Sequence, residues 1–237
     1  MRGVQSLVRA ALSCFAFAFL SGCAERPMPD QPLGDLSLFP EGYFVCSSDS
    51  ACLGEDRLSD AEYTQALKAR FDRMDQAFHP ERLGQSLSDN SAGALSWSQS
   101  YILRAYLEYV EATGDAEVMG RAGVHVRNML SMRDDARGVS DFRGTSGPHW
   151  TTSHYSLEPM AFLVTDGMIV AAMAEFARRV LENSSFSSLP FQDGKTLGTF
   201  ANEVLDRVSE TLEAYDRDWD STTGAYRAPI DATFLTY

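Results

Sequence analysis

From Leu58 onward apolar residues return at helical spacing, and they do so in two ways. Tyr63, Leu67, Phe71, Met74 and Phe78 mark one side of a stretch that Ser59 or Asp60 can cap. They predict a helix to about Ala77, ended by His79-Pro80. In the next stretch Leu95, Trp97, Tyr101, Ile102, Ala105, Tyr106, Tyr109 and Val110 cover most of a helix circumference, so protein is expected nearly all round it. Its successor, 115–132, carries a narrower stripe of Val118, Ala122, Val126, Met129 and Leu130, with Glu117, Arg121, Arg127 and Asn128 opposite. Gly114 suits a C-cap and Asp115 an N-cap between the two. An inner helix and an outer helix would thus form a hairpin.

The pattern recurs. Residues 161–181 are apolar on most sides (Phe162, Leu163, Val164, Met168, Ile169, Val170, Met173, Phe176, Val180), whereas 195–216 show only a stripe of Leu197, Phe200, Val204, Val208, Leu212 and Tyr215. Each outer helix leaves through an Asp-initiated turn with Gly where positive φ is needed, at Gly138 and Gly224, followed by an extended segment. The chain is therefore expected to be all-α, with alternating inner and outer hairpins and short extended segments in the loops.

Upstream the pattern is different. Arg2 and Arg9 form a basic stretch ahead of an apolar run over 10–20, too short to span a bilayer but suited to a signal peptide. The run ends in Leu20-Ser-Gly-Cys23, which resembles the lipobox of bacterial lipoproteins. That resemblance implies a leader over 1–22 and acyl chains, palmitate among them, on Cys23. Ala24, where inner-membrane lipoproteins tend to carry Asp, implies an outer-membrane address. An ordinary signal peptide cleaved near small residues is the alternative. Lipid chains would anchor the protein firmly to the membrane without spanning it.

Residues 23–57 hold Pro27, Pro29, Pro32 and Pro40 with Gly34, Gly42 and Gly54, and read as a lipidated tether followed by a loop. Outside the cytoplasm Cys46 and Cys52 are expected to form a small disulfide; a metal or redox pair is the competing reading, and no nearby His or second cysteine pair completes such a site. The helical domain then covers 58–237. A net charge of −13 (20 Lys and Arg against 33 Asp and Glu) excludes a nucleic-acid partner, whose phosphates demand clustered cations. Loss of Arg2 and Arg9 with the leader makes the mature chain more acidic still. Phosphate loops, nucleotide fingerprints, Gly-x-Ser-x-Gly elbows, EF-hand loops and metalloprotease signatures are absent, so no cofactor or metal is expected.

The alternation resembles the α/α-toroid, or six-hairpin, enzymes. The likeness rests on Trp97-Ser-Gln-Ser-Tyr101-Ile-Leu-Arg-Ala-Tyr106, Glu111-Ala-Thr-Gly-Asp115, Met132-Arg-Asp-Asp135 and Val164-Thr-Asp-Gly-Met-Ile169. Over 94–237 it is similar in style to the carboxy-terminal domain of glucuronyl epimerases and to N-acylglucosamine epimerases. A closed ring needs more helices than the five read here, and the chain ends on the apolar Phe234-Leu-Thr-Tyr237, so an incomplete toroid is expected: a truncated chain, a self-assembling half or an open arc.

The resemblance implies that loops entering the inner helices line a funnel mouth. The 143–159 loop brings His149, Trp150, His154, Tyr155 and Glu158, a mixture of aromatic faces and proton carriers that suits a sugar. As a zinc site its spacing is poor. Asp166, a carboxylate among apolar neighbours, is expected to have a raised pKa fit for a general acid; an N-terminal acid favoured by the helix dipole is the plainer reading. Asp166, His149, His154 and Glu158 are thus the catalytic candidates. Trp97, Trp150, Tyr155, Arg104 and Tyr237 are the substrate-binding ones, with Asp231 also able to face the funnel. Arg104, Arg143 and Arg227 would offset the acidic coat locally. Asp134 and Asp135 read as turn caps, and His79 and His125 as structural.

Two functions follow from different classes. The first is an envelope lipoprotein that binds or modifies uronic-acid or amino-sugar glycans, by epimerisation or hydrolysis. The second is a non-catalytic helical lipoprotein that scaffolds envelope partners. Oligomeric state is not fixed by either.

Overall fold

The structure, a computed structural model, describes residues 60–78 and 81–226. The chain divides after Tyr63 into two units, and apart from the first turn of helix α1 the described residues belong to the second. The expected signal peptide over 1–22, Cys23, Cys46, Cys52, His79, Arg227, Asp231 and Tyr237 lie outside the described residues.

The chain is all-α, with one two-stranded ribbon. Five long helices follow in order: α1 (Asp60–Phe78), α2 (Ser100–Thr113, entered through a π-helical turn over Leu95–Gln99), α3 (Ala116–Ser131), α4 (Leu163–Glu182) and α5 (Leu197–Glu213). Strands β1 (Trp219–Asp220) and β2 (Ala225–Tyr226) pair antiparallel around the Gly224 turn. Single helical turns stand at Asp134–Arg137 and Ser184–Ser187.

The α2–α3 junction forms as its residues dictate. Gly114 takes φ 70°, which only glycine adopts without strain, and its amide reaches back to the Val110 carbonyl. Asp115 then accepts the amides of Glu117 and Val118 at 3.0 and 3.1 Å, satisfying donors that the start of α3 leaves open.

Helix α2 packs against both α3 and α4, α4 against α5, and α3 against α5. The two hairpins therefore lie side by side, α2 beside α4 and α3 beside α5. Gly123 makes the second contact possible, since a Cβ there would stand 2.8 Å from Leu197 and 3.0 Å from Phe191. The core runs through Leu103, Leu107, Met119, Val126, Met129, Ile169, Met173, Phe176 and Val204, all fully buried. Across α2 and α4 Arg179 ties Glu175, Glu108 and Glu111 together at 2.6–2.7 Å.

Two expectations about burial need correcting. Helix α2 is not enclosed: Tyr101, Arg104, Glu108 and Glu111 form an exposed stripe continued by Trp97, and on α4 Val164 is half exposed. Conversely, α3 buries more than its stripe. Asn128 is inside, bonded to the Ser86 hydroxyl at 3.1 Å. His125 is also buried. It takes a hydrogen bond from Gln99 on Nδ1 (2.8 Å) and donates from Nε2 to the Arg82 carbonyl (3.0 Å), which fits the structural role expected of it. The 81–93 segment covers that face of α3 and partners its polar side chains, His125 through the Arg82 carbonyl and Asn128 through the Ser86 hydroxyl. No helix among the described residues is long and apolar enough to cross a membrane.

Candidate functional site

The site residues expected from sequence fall into two groups. Three of them, Asp166, His149 and Trp150, are buried together; His154, Glu158, Trp97 and Arg104 are exposed, and Tyr155 is half-buried.

The buried group is built around an irregular strand of loop. Trp150 is fully enclosed, its indole N–H donating to the Met129 carbonyl at 2.8 Å. Its backbone amide donates to Asp166 (3.3 Å) and its carbonyl accepts from the buried Asn90 side chain (2.9 Å). One residue on, the Thr151 amide donates to Asp134 at 2.9 Å, and the Thr152 amide pairs with the Met160 carbonyl. Every polar group of Trp150 is thus taken up by a different element, as burial away from water demands. The ring platform expected at Trp150 is therefore corrected: with both faces against the core, the indole offers none to a ligand.

Asp166 stands in the first turn of α4, 1% exposed, and accepts the Tyr215 hydroxyl at 2.8 Å from the end of α5. His149 Nδ1 lies 3.4 Å from the same carboxylate oxygen without a completed hydrogen bond, its ring edge-on to Tyr215. Burial lifts the Asp166 carboxyl above the ordinary carboxylate range, against the opposing effect of His149 and Tyr215. That is the direction expected from sequence. Burial, then the Asp166 charge, pushes the Tyr215 phenol well up. Asp134 is lifted to about 6, first by burial, with the Thr151 amide opposing and the Asp166 charge adding. Asp134 is thus no mere turn cap. Its carboxylate faces inward, whereas Asp135 does the surface work, holding Arg133 by two 2.7 Å bonds. Asp134 and Tyr215 complete a cluster that sequence reasoning missed. Tyr215 closes the apolar stripe of α5 and reads as core, and nothing local marks Asp134 as facing inward.

A general acid or base must reach the group it protonates. Asp166 and His149 are shut in, while His154 and Glu158 are exposed, so the four catalytic candidates are not assembled into one open site. No metal-binding group of three or more His, Cys, Asp or Glu side chains occurs among the described residues.

The exposed group is aromatic. Trp97 is 38% and Tyr101 51% exposed, one helical turn apart, with Arg104 a further turn along the same face. Beneath Trp97 lies Gly93 at φ 72°, where a Cβ would meet the indole at 3.0 Å and His154 at 3.9 Å. Glycine here leaves room for the indole edge and for the His154 side chain on the same side of the turn. The His154 ring in turn stands edge-on to Tyr155, 4.6 Å between centroids. Arg143, expected in a local basic patch with Arg104 and Arg227, is engaged by Asp141 at 2.6 Å. Comparison with family models, with curated proteins and with solved structures finds no match to this chain.

Proposed function

We propose that this protein is an envelope-anchored lipoprotein whose helical domain, an arc of an α/α toroid, binds carbohydrate on the face of α2. The supporting observation is the pair Trp97 and Tyr101: large rings left in water on a helix whose other aromatics, Tyr106 and Tyr109, are buried. Flat apolar faces with polar tips suit the C–H side of a sugar ring, while Arg104, His154 and Tyr155 supply donors for hydroxyl or carboxylate oxygens. The leader and Cys23 supply the address. Binding is the role proposed, because the buried carboxylates cannot touch a ligand on this face.

The test is titration of the full mature protein with neutral, uronic-acid and amino-sugar oligosaccharides. Trp97→Ala is expected to weaken binding about fivefold, the loss of one ring contact of roughly 1 kcal/mol. Trp219→Ala, which alters an exposed indole on the β1–β2 ribbon, is expected to leave affinity unchanged. One observation favours the scaffold reading: Leu157 is fully exposed at the tip of the 143–159 loop, as an apolar docking point would be. Absence of binding to every glycan class, with capture of an envelope protein that Leu157→Asp abolishes, would replace the first reading by the second.

A further inference from the structure

The middle of the 143–159 loop is held by two carboxylates on successive backbone amides. Asp134 takes the amide of Thr151, Asp166 that of Trp150, and both side chains are almost wholly buried. Beside them His149, 92% buried as a side chain, turns Nδ1 toward Asp166 and finds no hydrogen-bond partner for it. We propose that this cluster is a proton-operated clasp: with a proton on Asp134 the 143–159 loop is fastened, and release of that proton, which leaves a buried anion beside the Asp166 carboxyl, loosens it.

The groups around Asp134 come from every packed element. Arg137, on its own helical turn, offsets its charge weakly, and Asp166 at the head of α4 repels it. The loop contributes His149, which favours the ionised form of Asp166. From the end of α5 comes Tyr215, itself acted on by Asp218 and Arg217. Arg133 is not available to neutralise the pair, because Asp135 and Glu210 hold its guanidinium at 2.7 and 2.9 Å.

The sign follows from Asp134. Its carboxyl has an ordinary value of 3.8 and is held up to about 6 in the fold. Stability drawn from that difference is complete below the ordinary value and disappears as pH rises through about 6. Asp166 is shifted in the same direction. An opening that returns Asp134 to water is therefore favoured by rising pH, by about tenfold between about pH 5 and about pH 7.5. The loosened loop carries His154 and Tyr155, so the aromatic rim beside Trp97 moves with it. The clasp does not depend on the sugar reading, and its test uses no ligand.

The experiment is amide hydrogen exchange on the full mature protein at those two pH values, corrected for intrinsic exchange. Protection of Trp150 and Thr151 is expected to fall about tenfold at the higher pH and, in Asp134→Asn, which cannot ionise, to lose its pH dependence. Equal protection of the unsubstituted protein at both pH values overturns the clasp, as does unaltered pH dependence in the variant. Should Asp134→Asn not fold, the carboxyl titration of Asp134 in the unsubstituted protein decides by NMR. A midpoint near 6 supports the clasp, and one near the ordinary 3.8 overturns it.

Discussion

Trp150→Ala is expected to be the most damaging single substitution in the domain. It removes a fully buried indole and leaves a cavity flanked by Met129 and the loop backbone, at a cost of about 3–5 kcal/mol. The Met129 carbonyl loses its indole donor as well, adding about 1 kcal/mol where water cannot replace it. For a chain of this size the melting temperature should drop by on the order of 10 °C. Thermal unfolding followed by far-UV circular dichroism reads it directly. A loss below about 1 kcal/mol would mean that Trp150 is not the core anchor described here. Trp150→Phe should recover part of the packing but not the hydrogen bond, and fall between the two.

Asp166 comes second, and its direction depends on the replacement. Asp166→Ala leaves the Tyr215 hydroxyl and the Trp150 amide without acceptors in a buried site, for a loss of about 2–4 kcal/mol. Part of that is returned, because the carboxylate is itself costly to keep ionised there. Asp166→Asn keeps an acceptor oxygen and removes the charge, so it should cost about 1 kcal/mol or less near neutral pH. A denaturant titration of both variants separates them. Equal losses would show that Asp166 acts through its charge and not as the acceptor that joins α4, α5 and the loop.

These two residues show how much of the molecule was legible in sequence. The helices were: 60–78, 100–113, 116–131, 163–182 and 197–213 lie within a few residues of the expected spans, because apolar periodicity and the caps at Gly114 and Asp115 are local signals. The raised carboxyl at Asp166 was also readable, from a charge set among apolar neighbours. Which face of α2 meets water was not. Trp97, Tyr101 and Tyr106 look alike in sequence, and only the arrival of α1, α3 and α4 buries Tyr106 and leaves the other two exposed. Phe71 of α1 stands edge-on to Tyr106 and stacks on Tyr109, 5.0 and 4.1 Å between centroids, a choice made by tertiary contact. Trp150 was misplaced for a related reason. In a Gly/Pro-rich loop an indole resembles a binding platform, and its burial depends on partners 16 to 60 residues away, namely Asp166, Met129 and Asn90.

Asp134 carries the same lesson for chemistry. Adjacent acids after an outer helix look equivalent, yet Asp135 is exposed and engages Arg133, while Asp134 turns inward to the Thr151 amide. The Asp134 amide donates to the His149 carbonyl at 2.8 Å and that of Asp135 to the Gly147 carbonyl at 3.0 Å, so backbone pairing with the loop decides which acid is buried.

The three tryptophans allow the most direct test of the proposed carbohydrate face. Each indole N–H gives its own NMR signal, and Trp97, Trp150 and Trp219 occupy an exposed helix face, the core and a surface ribbon respectively. On addition of a bound oligosaccharide, the Trp97 signal should shift while those of Trp150 and Trp219 stay in place. Movement of the Trp150 or Trp219 signal with Trp97 unmoved would place binding elsewhere and contradict the assignment of the α2 face.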